Sequence, residues 1–172
     1  MEVSEAIRTV LAVREFQDKP VADNIVNKII ESARLTGSSM NGQPWHFIVI
    51  RKRESLVKIG SAVSSGKYTA QSAFAIAVAV DKSSPFGVSD ASRAIQSMVL
   101  AAWSEGIGSN WTGWIGMSNV ADLLNVPETL DVIAVLPFGY PKQLRNQGKK
   151  LRKHINEVAH EENFGQPYCK NE

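Results

Sequence analysis

The run Phe74 to Val80, FAIAVAV, constrains the chain more than any other stretch. It is apolar at odd and even positions alike. A strand with both faces apolar needs cover on both, so it is expected in the centre of a sheet. A second segment, DVIAVLPFGYP, reads as another buried strand that leaves into a turn. Between the two lies a helical pattern starting at Ser89 or Asp90 and running through Ser104. Its Ala91, Ala94, Ile95, Met98, Val99, Ala101 and Ala102 cover most of the circumference, so burial on nearly all sides is expected. Two readings of that helix stand: it is central in a monomer, or a second subunit covers it.

The flanking segments alternate in the same manner. Ser4 is placed to cap a short helix carrying Ile7, Val10 and Leu11 on one face. Asp23 is placed to cap a second with Ile25, Val26, Ile29, Ile30 and Ala33 at helical spacing. A strand at His46 to Ile50 follows, then a short helix near Glu54 to Ile59 and a polar, mobile loop, SSGKYT. EGIGSNWTGW carries a glycine stop before a further strand, and SNVADLLNVPE reads as a short helix closed by Pro127. The last stretch, GKKLRKHINEVAHEENFG, is helical in part and polar enough for an outer arm, with His154 and His160 on one helix.

With 172 residues, 44% hydrophobic and 21% charged, the chain is expected to form one domain over residues 1–172 around one substantial core. A net charge of +2 gives no case for nucleic acid or a membrane surface as partner. The longest apolar run falls far short of the roughly 20 residues of a membrane span. No secretory leader pattern opens the chain, so a cytoplasmic location is expected. The one cysteine, Cys169, allows no internal disulfide and is expected to be inert. His46, His154 and His160 are too dispersed for a metal site.

Phosphate-loop, dinucleotide and nucleophile-elbow signatures are absent from the sequence. What remains is GSSMNGQPW, with the hydroxyls of Ser38 and Ser39 and the amides of Asn41 and Gln43, and the close-approach backbone of GWIG at Gly113 to Gly116. Such loops would frame a planar heterocycle with polar edges. Equally, the serines and Asn41 would satisfy their own turn.

SSMNGQPWHFIVI resembles the segment of nitroreductase-family flavoproteins usually written Ala-Pro-Ser-Ser-x-Asn-x-Gln-Pro-Trp. AIRTVLAVREFQDKPV resembles that family's opening helix and Arg-x-Phe exit. ASRAIQSMVLAAWSEGIGSNW resembles its long central helix, VLPFGYP its late strand, and KKLRKHINEVAHEENFG its closing basic segment. The resemblance implies an α+β fold with a mixed central sheet flanked by helices, an intertwined homodimer, and FMN at two sites in the dimer interface. It also implies ping-pong transfer of electrons from NADH or NADPH to a small-molecule acceptor, a nitroaromatic, a quinone or a similar compound. The flavin would carry the chemistry, with no catalytic side chain.

Carried over by the resemblance, Ser38, Ser39 and Asn41 lie along the ribityl chain and ring edge, while Gln43 and Trp45 shape the loop. Gly113, Ile115 and Gly116 match the strand exit near the flavin, and Arg14 matches the cation at its pyrimidine edge. Phe74, Tyr68 and Trp114 are aromatic candidates for the open face, and Ser64 to Thr69 for the lining of the entrance. Two departures stand out. Gly37 replaces a proline and loosens the loop, and Val10, Leu11 and Ala12 replace the family's Arg-Arg-Ser, which grips the phosphate. Arg8, about 200° around the helix from Val10, is no substitute. Lys150 and Arg152 match the family's late basic pair and are the candidate phosphate ligands, unless KKLRK is only a solvated face. Weakened FMN retention is expected, and a flavin-binding or interaction protein of the same fold without turnover is the alternative.

Overall fold

The computed structural model describes residues 1–64, 66–113, 116–143 and 150–168. Its sheet has four strands, β1 (Trp45–Ile50), β2 (Phe74–Asp81), β3 (Gly108–Ser109) and β4 (Leu130–Gly139), in the order β1-β2-β4-β3. The doubly apolar strand is therefore internal, as its pattern demands. Pairing within the sheet is antiparallel throughout, and the one parallel pairing among the described residues is an isolated bridge between Ala12 and Ser109.

The two faces of β2 differ in size. Ile76, Val78 and Val80, with Leu136 and Phe138 of β4, pack against Val26, Ile29 and Ala33 of α2 (Asp23–Arg34) and Ala94, Ile95 and Met98 of α4 (Gly87–Ser104). Ala75, Ala77 and Ala79 face Leu56 and Ile59 of α3 (Arg53–Ala62) and Val120 of α5 (Met117–Leu123). Alanines on one face let α3 and α5 sit close, while the branched residues opposite supply bulk. Each large side chain so buried contributes roughly 1.5–3 kcal/mol. Phe74 stacks on Phe138 at 5.0 Å. The α+β fold expected from the sequence is the fold observed, and among the described residues no helix is long and apolar enough to cross a membrane.

Several ends differ from the sequence expectations. Helix α1 spans Val3–Thr9, with Glu2 rather than Ser4 at its start, and Ile7 is 54% exposed. Val10 and Leu11 lie beyond it. Thr9 donates its hydroxyl to the Glu5 carbonyl at 2.7 Å and accepts the Trp103 indole N–H at 2.9 Å, while Val13 donates its N–H to Ser109 at 2.8 Å. Residues after Thr9 thus run beside the sheet edge instead of continuing the helix. Asp23 is the first residue of α2, not its cap, and its carboxylate pairs with Arg51.

Helix α4 starts at Gly87, ahead of Ser89 and Asp90. No side chain caps that start, and the Asp90 carboxylate is used by a neighbouring loop. Ala91, Ala94, Ile95, Met98 and Ala102 of α4 are buried, but Val99, Leu100 and Ala101 are only half-buried and Gln96 is exposed. Near-total burial is therefore not reached within one chain. Lys67–Gln71, part of the expected mobile loop, is a 3-10 turn held by Arg53 on the carbonyls of Ala70 and Ser72. Among its described residues the closing segment carries only a short 3-10 turn, Ile155–Glu157, so His154 and His160 do not share a helix. The Glu157 carboxylate accepts the His154 N–H at 2.8 Å and closes that turn on itself. Leu151 is 94% exposed in this outer arm.

Candidate functional site

Loop Ser38–Gln43 follows α2 and is held from three directions. Asp90 Oδ2 accepts the Ser39 N–H and Oδ1 the Ser39 hydroxyl, both at 3.0 Å, and Arg93 ion-pairs with the same carboxylate. Ser38 Oγ accepts the Gln43 N–H at 3.0 Å, and the Gln43 side-chain amide donates to the Asn41 carbonyl at 3.2 Å. Met40, Asn41 and Gln43 have φ of 52°, 56° and 47°. Three non-glycine residues in the left-handed region within four positions mark a loop whose shape is imposed by its surroundings. Gln43 does shape the loop, and Trp45 anchors its exit as a buried residue.

Asp90 is 1% exposed. Burial alone would raise its carboxyl pKa, but the Ser39 N–H, the Ser39 hydroxyl and the Arg93 guanidinium outweigh burial and hold it below the usual carboxylate range. A depressed pKa gives stability that is complete above the unfolded value of about 4 and is lost as pH falls through the folded one. Thermal midpoints from neutral pH to about pH 3 should therefore fall more steeply for wild type than for Asp90→Asn, with the gap closing below about pH 4. A gap that stays constant would remove this role from Asp90.

The cations lie elsewhere. Lys150 donates its ammonium to the Ile7 carbonyl at 2.6 Å, in the last turn of α1, where a cation also meets the negative end of the helix dipole. Partial burial, and then the positive charge of Arg152 nearby, pull the Lys150 pKa below that of an ordinary amine. Arg14 is exposed, one residue beyond Val13 with its bond to Ser109. Gly113 and Gly116 follow β3, while Ile115 and Trp114 lie outside the described residues, as does Cys169. A Cβ on Gly113 would stand 3.0 Å from Trp111 Nε1 and 3.1 Å from the Ile133 carbonyl oxygen, so the chain's own packing already accounts for that glycine.

The structure thus brings Ser38, Ser39 and Asn41 together at one end of α4 and the Arg14 and Lys150 segments to the other. Ser39 is bonded at Asp90 and α1 at Trp103, thirteen residues apart, which is roughly 20 Å along a helix. Within one chain the two groups are thus held at well-separated points along α4. Of the aromatic candidates, Phe74 is removed, being 2% exposed and stacked in the core. Tyr68 is half-buried and its hydroxyl accepts from the Asn110 side chain. Arg93 and Asn110 were not singled out from the sequence, and Asp90 only as a possible start of the long helix. Asp90 lies in VSDASR and Asn110 in GSNWTG, polar stretches that carry no local signal of their partners Ser39 and Tyr68.

The chain resembles known proteins in sequence and in fold. A family model described as Nitroreductase family matches residues 8–82 and 67–140. A protein of Methanothermobacter thermautotrophicus, provisionally named NADH dehydrogenase/NAD(P)H nitroreductase, is 36% identical over 151 residues, covering 83% of this chain and 79% of the relative. The FMN reductase [NAD(P)H] of Bacillus subtilis is 24% identical over 187 residues, covering 95% and 74%. A crystal structure from Bacteroides thetaiotaomicron, with the same provisional name as the first relative, superimposes with a TM-score of 0.87 at 26% identity, covering 94% of this chain and 98% of that one. Matched over most of its length by the family model and by a relative of this identity, the chain belongs to the nitroreductase family of oxidoreductases.

Proposed function

We propose that the chain is an FMN-dependent oxidoreductase that passes electrons from NADH or NADPH to a small-molecule acceptor such as a nitroaromatic or a quinone, in alternating half-reactions. Two copies of the chain form each site. The observation that carries this reading is the separation of the two donor groups by the length of α4, which a homodimer resolves by pairing one copy's loop with the other copy's cations. The name of the B. subtilis relative, an FMN reductase, supports the choice of cofactor.

The residues present fit FMN in their chemistry. Ser38 and Asn41 offer a hydroxyl and an amide from a fixed, left-handed loop, which suits a ribityl chain and a polar ring edge. Lys150 uses one of its three N–H donors on Ile7 and keeps two for a phosphate, beside the further charge of Arg152. Val10, Leu11 and Ala12 have no side-chain donors, so those two cations carry the phosphate grip. Arg14 would favour negative charge at the pyrimidine edge. When bound, FMN supplies the two-electron chemistry, accepting hydride from a nicotinamide and delivering reducing equivalents to the acceptor. The protein's part is to orient the flavin and leave one face open, with Tyr68 and Trp114 as candidates to line it. By the family resemblance, Ile115, Gly113 and Gly116 are candidates to approach the flavin.

Purified protein supplied with FMN should oxidise NADH or NADPH steadily when menadione is the acceptor. Bound FMN without turnover would instead favour a flavin-binding protein, the reading prompted by the apolar residues at Val10 to Ala12.

A further inference from the structure

We propose that Asp90 is the positioning residue of the cofactor loop and that it makes Ser39 an acceptor toward the ligand, opposite in polarity to Ser38, which the Gln43 N–H leaves as a donor. The proposal rests on the FMN reading above and extends it to a residue outside the loop.

A carboxylate only accepts hydrogen bonds. The single hydroxyl proton of Ser39 therefore points to Asp90 Oδ1, 3.0 Å away, while its backbone N–H is committed to Oδ2, also at 3.0 Å. What Ser39 presents outward is a lone pair, the oxygen's other partner being Arg93 Nη2 at 3.4 Å. A ligand group facing Ser39 must then donate: a ribityl hydroxyl or the flavin N3–H, and not a phosphate or ring carbonyl oxygen. Ser38 has the reverse arrangement. Its oxygen already accepts the Gln43 N–H at 3.0 Å, so its own proton is available for a ligand oxygen.

The burial of Asp90 makes this more than an ordinary surface contact. A buried carboxylate is costly unless its oxygens are bonded, and here Ser39 bonds both and Arg93 supplies the countercharge. Arg93 sits one helical turn after Asp90, so both come from the same face of α4. The loop is thereby fixed to the most deeply packed helix of the fold before any ligand arrives, which reduces the ordering cost of binding.

The test uses the whole protein and begins without flavin. In Asp90→Asn, backbone amides of residues 37–43 should exchange with solvent about tenfold faster, with protection of the sheet unchanged. Titration with FMN and with riboflavin follows. Asp90→Asn and Ser39→Ala should each weaken binding about tenfold, by the same factor for both flavins because Ser39 does not face the phosphate. Ser39→Thr, which keeps the hydroxyl, should restore binding. The double variant should lose no more than the worse single one, since both changes remove one coupled contact. Unchanged exchange at 37–43 in Asp90→Asn, additive losses in the double variant, or a greater loss for FMN than for riboflavin in Ser39→Ala would each overturn the proposal. Were Asp90→Asn not to fold, Ser39→Ala retains the Asp90 to Ser39 N–H bond and decides the polarity through the two flavins. Wild type that binds neither flavin would refute the cofactor reading itself, while the exchange measurement still decides whether Asp90 holds the loop.

Discussion

Two inactive variants should restore one another when their chains are mixed. One carries Ser38→Ala and Asn41→Ala, removing ligand contacts at one end of α4. The other carries Arg14→Ala, Lys150→Ala and Arg152→Ala, removing the cations near the other end. Hydrogen bonds to charged groups contribute about 1.5–3 kcal/mol each, so the cation variant should lose FMN affinity by about a hundredfold or more. In a two-fold dimer with shared sites, a mixed dimer has one site with both defects and one with neither. Random pairing of co-expressed chains makes about half the dimers mixed, which leaves about a quarter of all sites native. Activity should return to about that fraction. Recovery no greater than the two variants measured separately would mean that each chain builds its own site and that the spacing along α4 has been misjudged.

Gly116→Ala should cause the largest loss of stability among single-methyl changes at the site. Gly116 has φ of 88°, and a Cβ there would stand 2.2 Å from the carbonyl oxygen of Ala62 at the end of α3. The left-handed conformation costs an L residue roughly 1–2 kcal/mol, and forcing a methyl into packed structure costs about 1–3 kcal/mol more. Backbone is on the other side of the contact, so neither partner yields cheaply. A total of about 3 kcal/mol corresponds to a fall of roughly 6–12 °C in the thermal midpoint for a domain of this size. Gly113→Ala should cost less, because its nearest contacts are 3.0 and 3.1 Å. A midpoint lowered by less than about 2 °C in Gly116→Ala would show that α3 and the turn before α5 separate easily.

The parts legible in the sequence were those fixed by local pattern. The double-sided apolarity of Phe74 to Val80 placed β2 inside the sheet, and the spacing of Val26, Ile29 and Ala33 gave the buried face of α2. Serine, asparagine and glycine before Trp45 marked the loop as special, which its left-handed residues bear out. What was not legible depended on distant partners. Asp90 has the residue type and position of a helix cap, yet its partner Ser39 is 51 residues away. Thr9, the last residue of α1, accepts the Trp103 indole N–H, a contact that no window around Val10 reveals. Lys150 gave no sign of its bond to Ile7, 143 residues earlier. The expected helix around His154 to His160 failed for a local reason, a short turn closed by Glu157 on the His154 N–H.

On the proposed function, this family member carries a working flavin although Val10, Leu11 and Ala12 stand where the resemblance implies phosphate ligands. The visible absorbance spectrum of purified protein tests it most directly, recorded alone, after FMN, and after NADH or NADPH under anaerobic conditions. Flavin bands should appear or strengthen on addition of FMN and bleach with the nicotinamide, and part of the FMN should be lost in gel filtration at low protein concentration, since Val10, Leu11 and Ala12 offer no side-chain donors. Protein that takes up no FMN, or binds it and never bleaches with either nicotinamide, would refute the proposed function.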